Sequence, residues 1–416
     1  MNNEFLPRRR GLNRTTHLPE NRGTNWTRPH AFATPEDVAT HEEQQPQTST
    51  GGSINHPSKP PKKSFKQWLK SRTKKQWIII GVVAAVVIAA IGFALYTFVF
   101  KEEPVAKVPQ KSQETKKTVT PASTTVANTL TGLQVDPSLN ERPVTAVMIE
   151  NSTDARPQSG LNEAGVVFEA VAEGGITRFL TLFQDTAPDY IGPVRSVRPY
   201  YVQWAIGFDA AVAHVGGSAD GLALVRANKD LDQFFNPAPY HRVSSRIAPH
   251  NMYSDVGKLR ELQVSKGWNK SDFKGFARKA KGTPSSTPNA KTVDFNISGA
   301  LYNSHYDYDA PSNTYLRSEG GKPHMDERSN KQLAADVVVG LVMPQGKNGI
   351  YTTYNTIGSG AAYIFQDGIY TIGTWSKTGN GSQFTFKDAN GAELKLNPGK
   401  TWITVVGSTD RITYKP

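Results

Sequence analysis

Two glutamates could carry acid–base chemistry. Glu169 and Glu173 lie four residues apart in the run GVVFEAVAE. On a β-strand this spacing separates them by about 13 Å. Paired-carboxylate glycosidases hold their carboxyl groups roughly 5 Å or 6.5–9.5 Å apart, so the spacing does not predict such a pair. Glu173, beside Gly174 and Gly175, is the better candidate for a single general acid. A salt bridge inside the fold is the alternative for both glutamates.

Four arginines lie close to turn-forming residues and are candidate ligand-binding groups. They are Arg156, Arg178, Arg195 and Arg198. A guanidinium presents a planar fork that matches carboxylates and phosphates, and neighbouring glycines let a backbone approach an anion. The set predicts a pocket for an anion or for the carboxylate of a glycan-linked peptide. The alternative is internal pairing with acidic residues. The acidic candidates are Glu150, Glu163, Glu169 and Glu173.

A third pattern is AHVGGSAD, residues 213–220. His214 ends a predicted strand and Ser218 begins a predicted helix, so a hydroxyl and backbone N–H groups would meet where an oxyanion could bind. His214 is therefore a further catalytic candidate and Ser218 a ligand-binding one. The pattern departs from the G-x-S-x-G elbow, because Asp220 occupies the last glycine position. The alternative is that Ser218 caps the helix and His214 is a hydrogen-bonded interior histidine.

Two weaker polar pairs complete the candidates. His250 and Asn251 precede a predicted helix and could share a ligand pocket with His214. His324 and Asp326 form a similar pair in the second half, with a loop capped by the aspartate as the alternative. The histidines show no HxH or HExxH spacing, so no metal site is predicted. No P-loop, dinucleotide fingerprint or EF-hand loop occurs, and no cofactor is predicted.

The elements that position these residues predict an α+β fold. The strand-like runs of the first half cover residues 144–151, 165–173, 178–185 and 209–217. Its helical runs cover residues 198–207, 220–228 and 255–264. Ser254 is the expected N-cap of the last helix. We predict a mixed α/β domain over residues 139–283, followed by a linker at the composition break GTPSSTPNAK, residues 282–291.

Residues 291–416 predict a small β-rich domain. Asp367-Gly368 lies between two alternating runs, and Asn390-Gly391 repeats the pattern, so both pairs predict β-hairpins. The runs DVVVGLVM and TWITVVG add two further strands. We expect a small antiparallel sheet or a barrel-like domain with few helices.

Residues 77–100 predict a transmembrane helix. The run has 24 residues and no charge, and as a helix it is about 36 Å long, enough to cross a hydrocarbon core of about 30 Å. Seven basic residues precede it between positions 62 and 75, whereas Lys101 is offset by Glu102 and Glu103. The positive-inside rule predicts a single-pass signal anchor in the plasma membrane, with a cytoplasmic N-terminus and residues 101–416 outside. A cleaved signal peptide fits poorly, because the run starts 76 residues into the chain.

The segments on either side of this run differ from the folded part in composition. Residues 1–76 predict a disordered basic tail, and the Lys/Thr/Pro-rich residues 101–138 predict an extended stalk. The tail holds 14 basic and 6 acidic residues, and residues 139–416 hold 29 and 26. A nucleic-acid partner is not predicted, because its basic stripe would belong to the folded module. The chain has no cysteine, which excludes disulfides, thiolate metal sites and a lipid-modified cysteine.

Longer runs of the chain resemble a known family. They include ERPVTAVMIENSTDARPQSGLNEAGVVFEAVAEGGITRF, IGPVRSVRPY, AHVGGS and APHNMY in the first half, and YLRSEGGKPHMD and GKTWITVVG in the second. These runs, spread over residues 139–416, resemble the YerB-like family of bacterial surface lipoproteins. The resemblance implies an extracytoplasmic protein and brings no catalytic residue with it. Family members are usually anchored through a lipidated cysteine, whereas this chain carries the predicted transmembrane helix instead.

Three functions remain open from the sequence. The first is an envelope protein that binds cell-wall glycan, peptide or a partner protein, and the second is a glycan-cleaving enzyme with a single catalytic glutamate. The third is a scaffold that couples the cytoplasmic tail to an outer partner. Convergence of Glu173, the arginines and the histidines in one cleft would favour the enzyme, and their dispersal would weaken it.

Overall fold

The computed structural model describes residues 73–74 and 124–416. The predicted transmembrane helix at residues 77–100 lies outside this part of the chain, as do most of the predicted tail and stalk. Within the described residues, no helix is long and apolar enough to cross a membrane. Residues 124–416 belong to one compact unit.

Four α-helices occur in residues 124–416. They are Pro137–Asn140 (α1), Pro199–Ile206 (α2), Ala219–Arg226 (α3) and Val256–Ser265 (α4). Proline begins α1 and α2, where its missing N–H costs no intrahelical bond. The N-cap of α4 is Asp255, whose carboxylate accepts from Lys258 N at 3.1 Å. This corrects the expected N-cap: Ser254 instead donates its hydroxyl to the Pro239 carbonyl.

Most of the described residues outside the loops form β-strands. Those of the first half are Val126–Ala127 (β1), Gln134–Val135 (β2), Thr145–Glu150 (β3), Val166–Glu173 (β4), Ile176–Phe183 (β5), Ala211–His214 (β6), Asp230–Asp232 (β7), Tyr240–Arg242 (β8) and Met252–Ser254 (β9). Those of the second half up to residue 348 are Thr292–Phe295 (β10), Ser304–Asp309 (β11), Thr314–Glu319 (β12), Lys322–Pro323 (β13), Ala334–Ala335 (β14), Val337–Val342 (β15) and Gln345–Asn348 (β16). The remaining strands are Tyr351–Tyr354 (β17), Gly358–Gln366 (β18), Ile369–Lys377 (β19), Thr385–Lys387 (β20), Thr401–Val406 (β21) and Ile412–Lys415 (β22). The fold is mostly β with few helices.

The two halves of the chain share one 12-stranded sheet. Its main strand order is β20-β19-β18-β15-β21-β4-β5-β3-β6-β7, and the hairpin of β16 and β17 joins β4 by pairing Tyr351 with Glu173. β21 pairs in parallel with β15 on one side and with β4 on the other. The second half therefore places its strands beside those of the first half, within a single hydrogen-bonded sheet.

Both faces of this sheet are buried in its centre. On β4, Phe168 and Ala170 belong to one hydrophobic core, which includes Trp204 of α2, while Val167 and Val171 belong to the other. The same alternation occurs on β15 and β21. Strands buried on both faces read as continuous apolar runs, which explains the sequences DVVVGLVM and TWITVVG.

A second, six-stranded sheet covers one face of the large one. Its order is β13-β12-β11-β10-β22, and β14 pairs with β12. All pairs in this sheet are antiparallel, as predicted for the second half, but the parallel pairing of β15 with β21 was not predicted. The predicted hairpin at Asp367-Gly368 is confirmed, and both turn residues have positive φ angles of 57° and 74°.

The segment expected to be a linker, residues 282–291, is held against the large sheet. The Ser285 N–H donates to the Asp367 carbonyl, and the Asn289 and Ala290 N–H groups donate to the Gly368 carbonyl. The Asp367 carboxylate accepts from Lys279 Nζ at 2.7 Å. The β18–β19 turn therefore fixes the connection between the two halves.

Candidate functional site

A charged cluster lies where β4, β5 and the start of α2 meet. Glu173 ends β4, Arg178 lies on β5, and Arg198 precedes α2. Glu173 Oε1 accepts from Arg178 Nη2 and from Arg198 Nη2, the latter at 2.7 Å. Glu173 Oε2 accepts from Arg198 Nε at 3.1 Å. The bidentate pair fixes the plane of the Arg198 guanidinium.

Arg178 is the buried member of this cluster. Its side chain is almost fully buried, and its Nη1 donates to the Ser196 carbonyl at 2.9 Å. Burial and the neighbouring Arg198 guanidinium lower the pKa of Arg178. Arg178 therefore forms an internal ion pair with Glu173, which was the alternative to a ligand-binding role.

Arg198 also lines an open cleft of about 550 Å³, called here the hairpin cleft. Its guanidinium lies over the ring of Tyr351, 4.8 Å from the centroid. Its lining includes Arg198, Tyr200, Gln203, Ser218, Asp220 and residues 348–354. One wall therefore comes from α2 and the start of α3, and the other from the hairpin of β16 and β17.

Ser218 reaches the hairpin cleft as the N-cap of α3, and its hydroxyl oxygen accepts from Gly221 N at 3.3 Å. His214 is not among the residues that line the cleft. It is fully buried, with Nδ1 2.9 Å from the Gly216 carbonyl and Nε2 3.0 Å from Asp230 Oδ1. The structure thus separates His214 from Ser218.

His250 and Arg195 lie beside a different carboxylate, that of Glu150. His250 Nδ1 is 2.9 Å from Glu150 Oε1, and Arg195 Nε is 3.5 Å from the same oxygen. His250 borders an open cavity of about 630 Å³ together with Arg246. Asn251 is buried, and its amide bridges loop carbonyls while its oxygen accepts from Arg242 at 2.6 Å.

A buried ionic network joins the two halves on the opposite face of β4. Glu169 is fully buried and accepts from Arg317 Nη2 at 3.0 Å and from Trp402 Nε1 at 3.1 Å. Arg317 is also 3.3 Å from Glu319, which in turn pairs with Arg156 at 3.3 Å. A register shift between Val171 and Glu173 accompanies the separation of Glu169 and Glu173 into different clusters.

The titratable groups of this network are shifted by burial. Burial raises the pKa of Glu319 to about 7, against the opposing effect of the Arg317 guanidinium. Glu319 Oε2 has no hydrogen-bond partner among the described residues. Burial and Arg317 lower the pKa of His324 well below its usual value. The neutral ring accepts from Arg317 Nε at Nδ1, which assigns its proton to Nε2, 2.8 Å from Gln158 Oε1.

Asp326 caps its own loop. One carboxylate oxygen accepts from the backbone N–H groups of Arg328 and Ser329, and the other accepts from Asn162 N. Asp326 therefore caps a loop, which was the alternative to a ligand-binding role.

Comparisons with known proteins identify the chain's relatives. Residues 130–269 match the N-terminal domain of a protein family of unknown function, DUF3048, and residues 293–403 match the C-terminal domain of the same family. The chain is 30% identical over 294 residues to "Putative lipoprotein YerB" of Bacillus subtilis strain 168, covering 68% of this chain and 86% of that protein. The chain belongs to the YerB-like DUF3048 family.

A solved structure of a family member has the same fold. The crystal structure of YerB from Bacillus subtilis superposes with a TM-score of 0.63 at 27% sequence identity. The superposition covers 70% of this chain and the whole of the YerB chain.

In the present protein, the hairpin cleft lies between the two matched domains. Arg198 and Ser218 belong to the N-terminal domain, and Tyr351 belongs to the C-terminal one. The candidate residues fall into separate groups: Glu173, Arg178 and Arg198 meet, Arg195 and His250 share Glu150, and His214 stands apart. Glu169 and Arg156 belong to the buried ionic network around Arg317 and Glu319.

Of the residues that the second half contributes, sequence reasoning singled out His324 and missed Tyr351, Arg317 and Glu319. Tyr351 has no local signal, because its role depends on where its hairpin packs. Arg317, Glu319 and His324 lie in the run YLRSEGGKPHMD, whose family resemblance was a usable signal. Among the residues that the structure describes, no three His, Asp or Glu side chains are arranged to hold a metal ion.

Proposed function

We propose that this protein is a membrane-anchored extracytoplasmic envelope protein that binds cell-wall glycan or peptide in the hairpin cleft. The observation that carries the proposal is the pairing of an oriented Arg198 guanidinium with the Tyr351 ring in one open cleft. The location rests on the predicted anchor at residues 77–100 and on the name of YerB as a lipoprotein. Because this chain lacks cysteine, the transmembrane helix would replace a lipid anchor.

The chemistry of the cleft suits such a ligand. Small-molecule sites combine apolar or aromatic walls with a few oriented polar groups. Here the walls include Tyr200 and Tyr351, and the polar groups include Arg198, Gln203 and Ser218. Two of the five Arg198 N–H groups are left free by its bonds to Glu173 and to the Val197 carbonyl. They can donate to a carboxylate or a sugar hydroxyl.

The enzyme alternative has less geometric support. Glu169 is fully buried beneath Arg317 and Trp402, and both oxygens of Glu173 accept from guanidinium groups. A general acid needs a carboxyl that can reach its substrate. A binding role for the cleft needs no such group.

The first test is sedimentation of the full-length protein, purified in detergent, with peptidoglycan sacculi. We expect the native protein to pellet, and Tyr351→Ala to bind about tenfold more weakly because a central aromatic contact is lost. Tyr351→Phe keeps the ring and should bind nearly as well as the native protein. Melting temperatures of all three establish that they are folded.

The soluble fraction is analysed by mass spectrometry in the same experiment. Release of wall fragments by the native protein would support the enzyme instead. If the native protein does not pellet, the proposed wall binding is wrong, and crosslinking to envelope proteins becomes the next measurement.

A further inference from the structure

A second cavity adjoins the hairpin on its other side. It has a volume of about 740 Å³. Its lining includes the cations Lys347 and Arg411 and the neutral hydrogen-bonding side chains Ser298, Gln345 and Thr352. None of the residues that line it is acidic. The cavity is therefore positively charged and rich in donors.

The two cations differ from the arginines of the first cluster. Lys347 lies exposed on β16, and Arg411 ends a short 3-10 turn, Thr409–Arg411. Neither forms a salt bridge with any residue that the structure describes, whereas Arg178 and Arg198 both pair with Glu173. The Arg411 guanidinium donates one hydrogen bond, to the Asn296 carbonyl at 3.4 Å. Both cations can take an external counter-ion without breaking an internal pair.

The second cavity and the hairpin cleft meet at the hairpin. Gly349, Ile350 and Thr352 line both of them. Ile350 at the turn is 72% exposed. Gly174 and Gly175 line the second cavity, and a Cβ atom added at Gly174 would have no neighbouring atom within 4 Å. One elongated ligand has room to contact both sides of the hairpin.

We propose that the second cavity binds the anionic groups, phosphate or carboxylate, of a linear wall polymer that also occupies the hairpin cleft. This inference rests on the proposed function and adds the charge of the ligand and its path across residues 345–354. A guanidinium beside an ammonium suits repeated anionic groups, because the first forms directional bonds and the second acts as a mobile point charge.

The test compares two charge-neutralised forms of the full-length protein. The first is the double variant Lys347→Gln with Arg411→Gln. The matched control is Lys387→Gln with Lys395→Gln, which removes two exposed cations that line neither cavity. The basic tail is identical in every form, so a difference between the two variants belongs to the folded part.

The soluble probes are polyphosphate and polygalacturonate, which carry phosphate and carboxylate groups respectively. We expect the first variant to bind its preferred probe about tenfold more weakly than the control, as two surface charge pairs are lost. Native binding should weaken as salt rises, because exposed charges are screened over about 8 Å at physiological ionic strength. The probe that shows the loss identifies the anionic group.

Sacculus sedimentation separates failure of this inference from failure of the proposed function. If the native protein and both variants pellet equally well and neither probe distinguishes the variants, the wall-binding function stands and the anionic path is wrong. If the native protein itself does not pellet, the proposed function fails first. Equal losses in both variants would show non-specific charge attraction and would also overturn the inference.

Discussion

At the scale of single residues, burial decides what each charged side chain does. Arg178 and Arg198 share the Glu173 carboxylate, and of the two only Arg198 lines the hairpin cleft. Glu169 and Arg317 are both almost completely buried. Although burial opposes it, the Glu169 carboxylate raises the pKa of Arg317. A buried pair of this kind is costly to break from one side, because the remaining charge has no partner.

Glu319 predicts a pH dependence of stability. Its pKa is about 7 in the folded protein against an ordinary 4.5, so the folded state holds a proton that the unfolded state releases between these values. Stability therefore falls as pH rises through this window and levels off above it. Glu319→Gln removes this proton, so its stability relative to the native protein should rise between about pH 5 and about pH 8.

Urea midpoints of the native protein and of Glu319→Gln at the two pH values measure this effect. The exposed Glu393→Gln is the control and should track the native protein. Parallel pH profiles for the native protein and Glu319→Gln would contradict the raised pKa.

At the scale of elements, the hairpin of β16 and β17 is weakly supported by the rest of the large sheet. Every residue of β16 is exposed, and β17 pairs with β4 only through Tyr351 and Glu173. Tyr354 anchors its base by accepting from Val171 N at 3.0 Å. The hairpin, which forms one wall of the hairpin cleft and one wall of the second cavity, therefore has few buried contacts.

This arrangement predicts uneven amide protection. Residues 345–353 should exchange amide hydrogens much faster than residues 166–172 of β4, because exposed backbone bonds open with little free energy. Hydrogen exchange followed by mass spectrometry measures both segments in one sample. Sacculi that bind across the hairpin should slow its exchange. Equal protection of the two segments without ligand would show that the hairpin is as stable as the sheet.

At the scale of the whole molecule, the shared sheet couples the two matched family domains. β21 lies between β15 and β4, and Glu169 of the first half pairs with Arg317 of the second. Separating the halves would expose the edges of β4 and β21 and leave both charges unpaired. Unpaired edges and buried charges are each unfavourable.

We therefore predict a single cooperative unfolding transition for residues 124–416. Exchange at increasing urea should give the same midpoint for peptides from β4 and β5 as for those from β15 and β18. The reason is that each half buries its core strands against the other. Two separated midpoints would mean that the halves unfold as independent domains.

Much of the fold could be predicted because its signals are local. The apolar runs of β3, β4, β5, β15 and β21, the helix α2 and the turn at Asp367-Gly368 all follow from patterns within about ten residues. The N-cap of α4 was missed by one residue, because Ser254 and Asp255 are both good caps and only strand pairing in β9 separates them.

The amino-acid sequence by itself determined the long apolar strands, the family, and the contrast between a basic N-terminal region with an adjoining apolar run and a nearly neutral folded part. The tertiary structure alone decided that both halves build one sheet, that Glu169 and Glu173 enter different clusters, and that Tyr351 lies beneath Arg198. The physical reason is range. Periodicity and turn chemistry act between neighbours in the chain, whereas the partners of a buried charge come from strands more than 100 residues away.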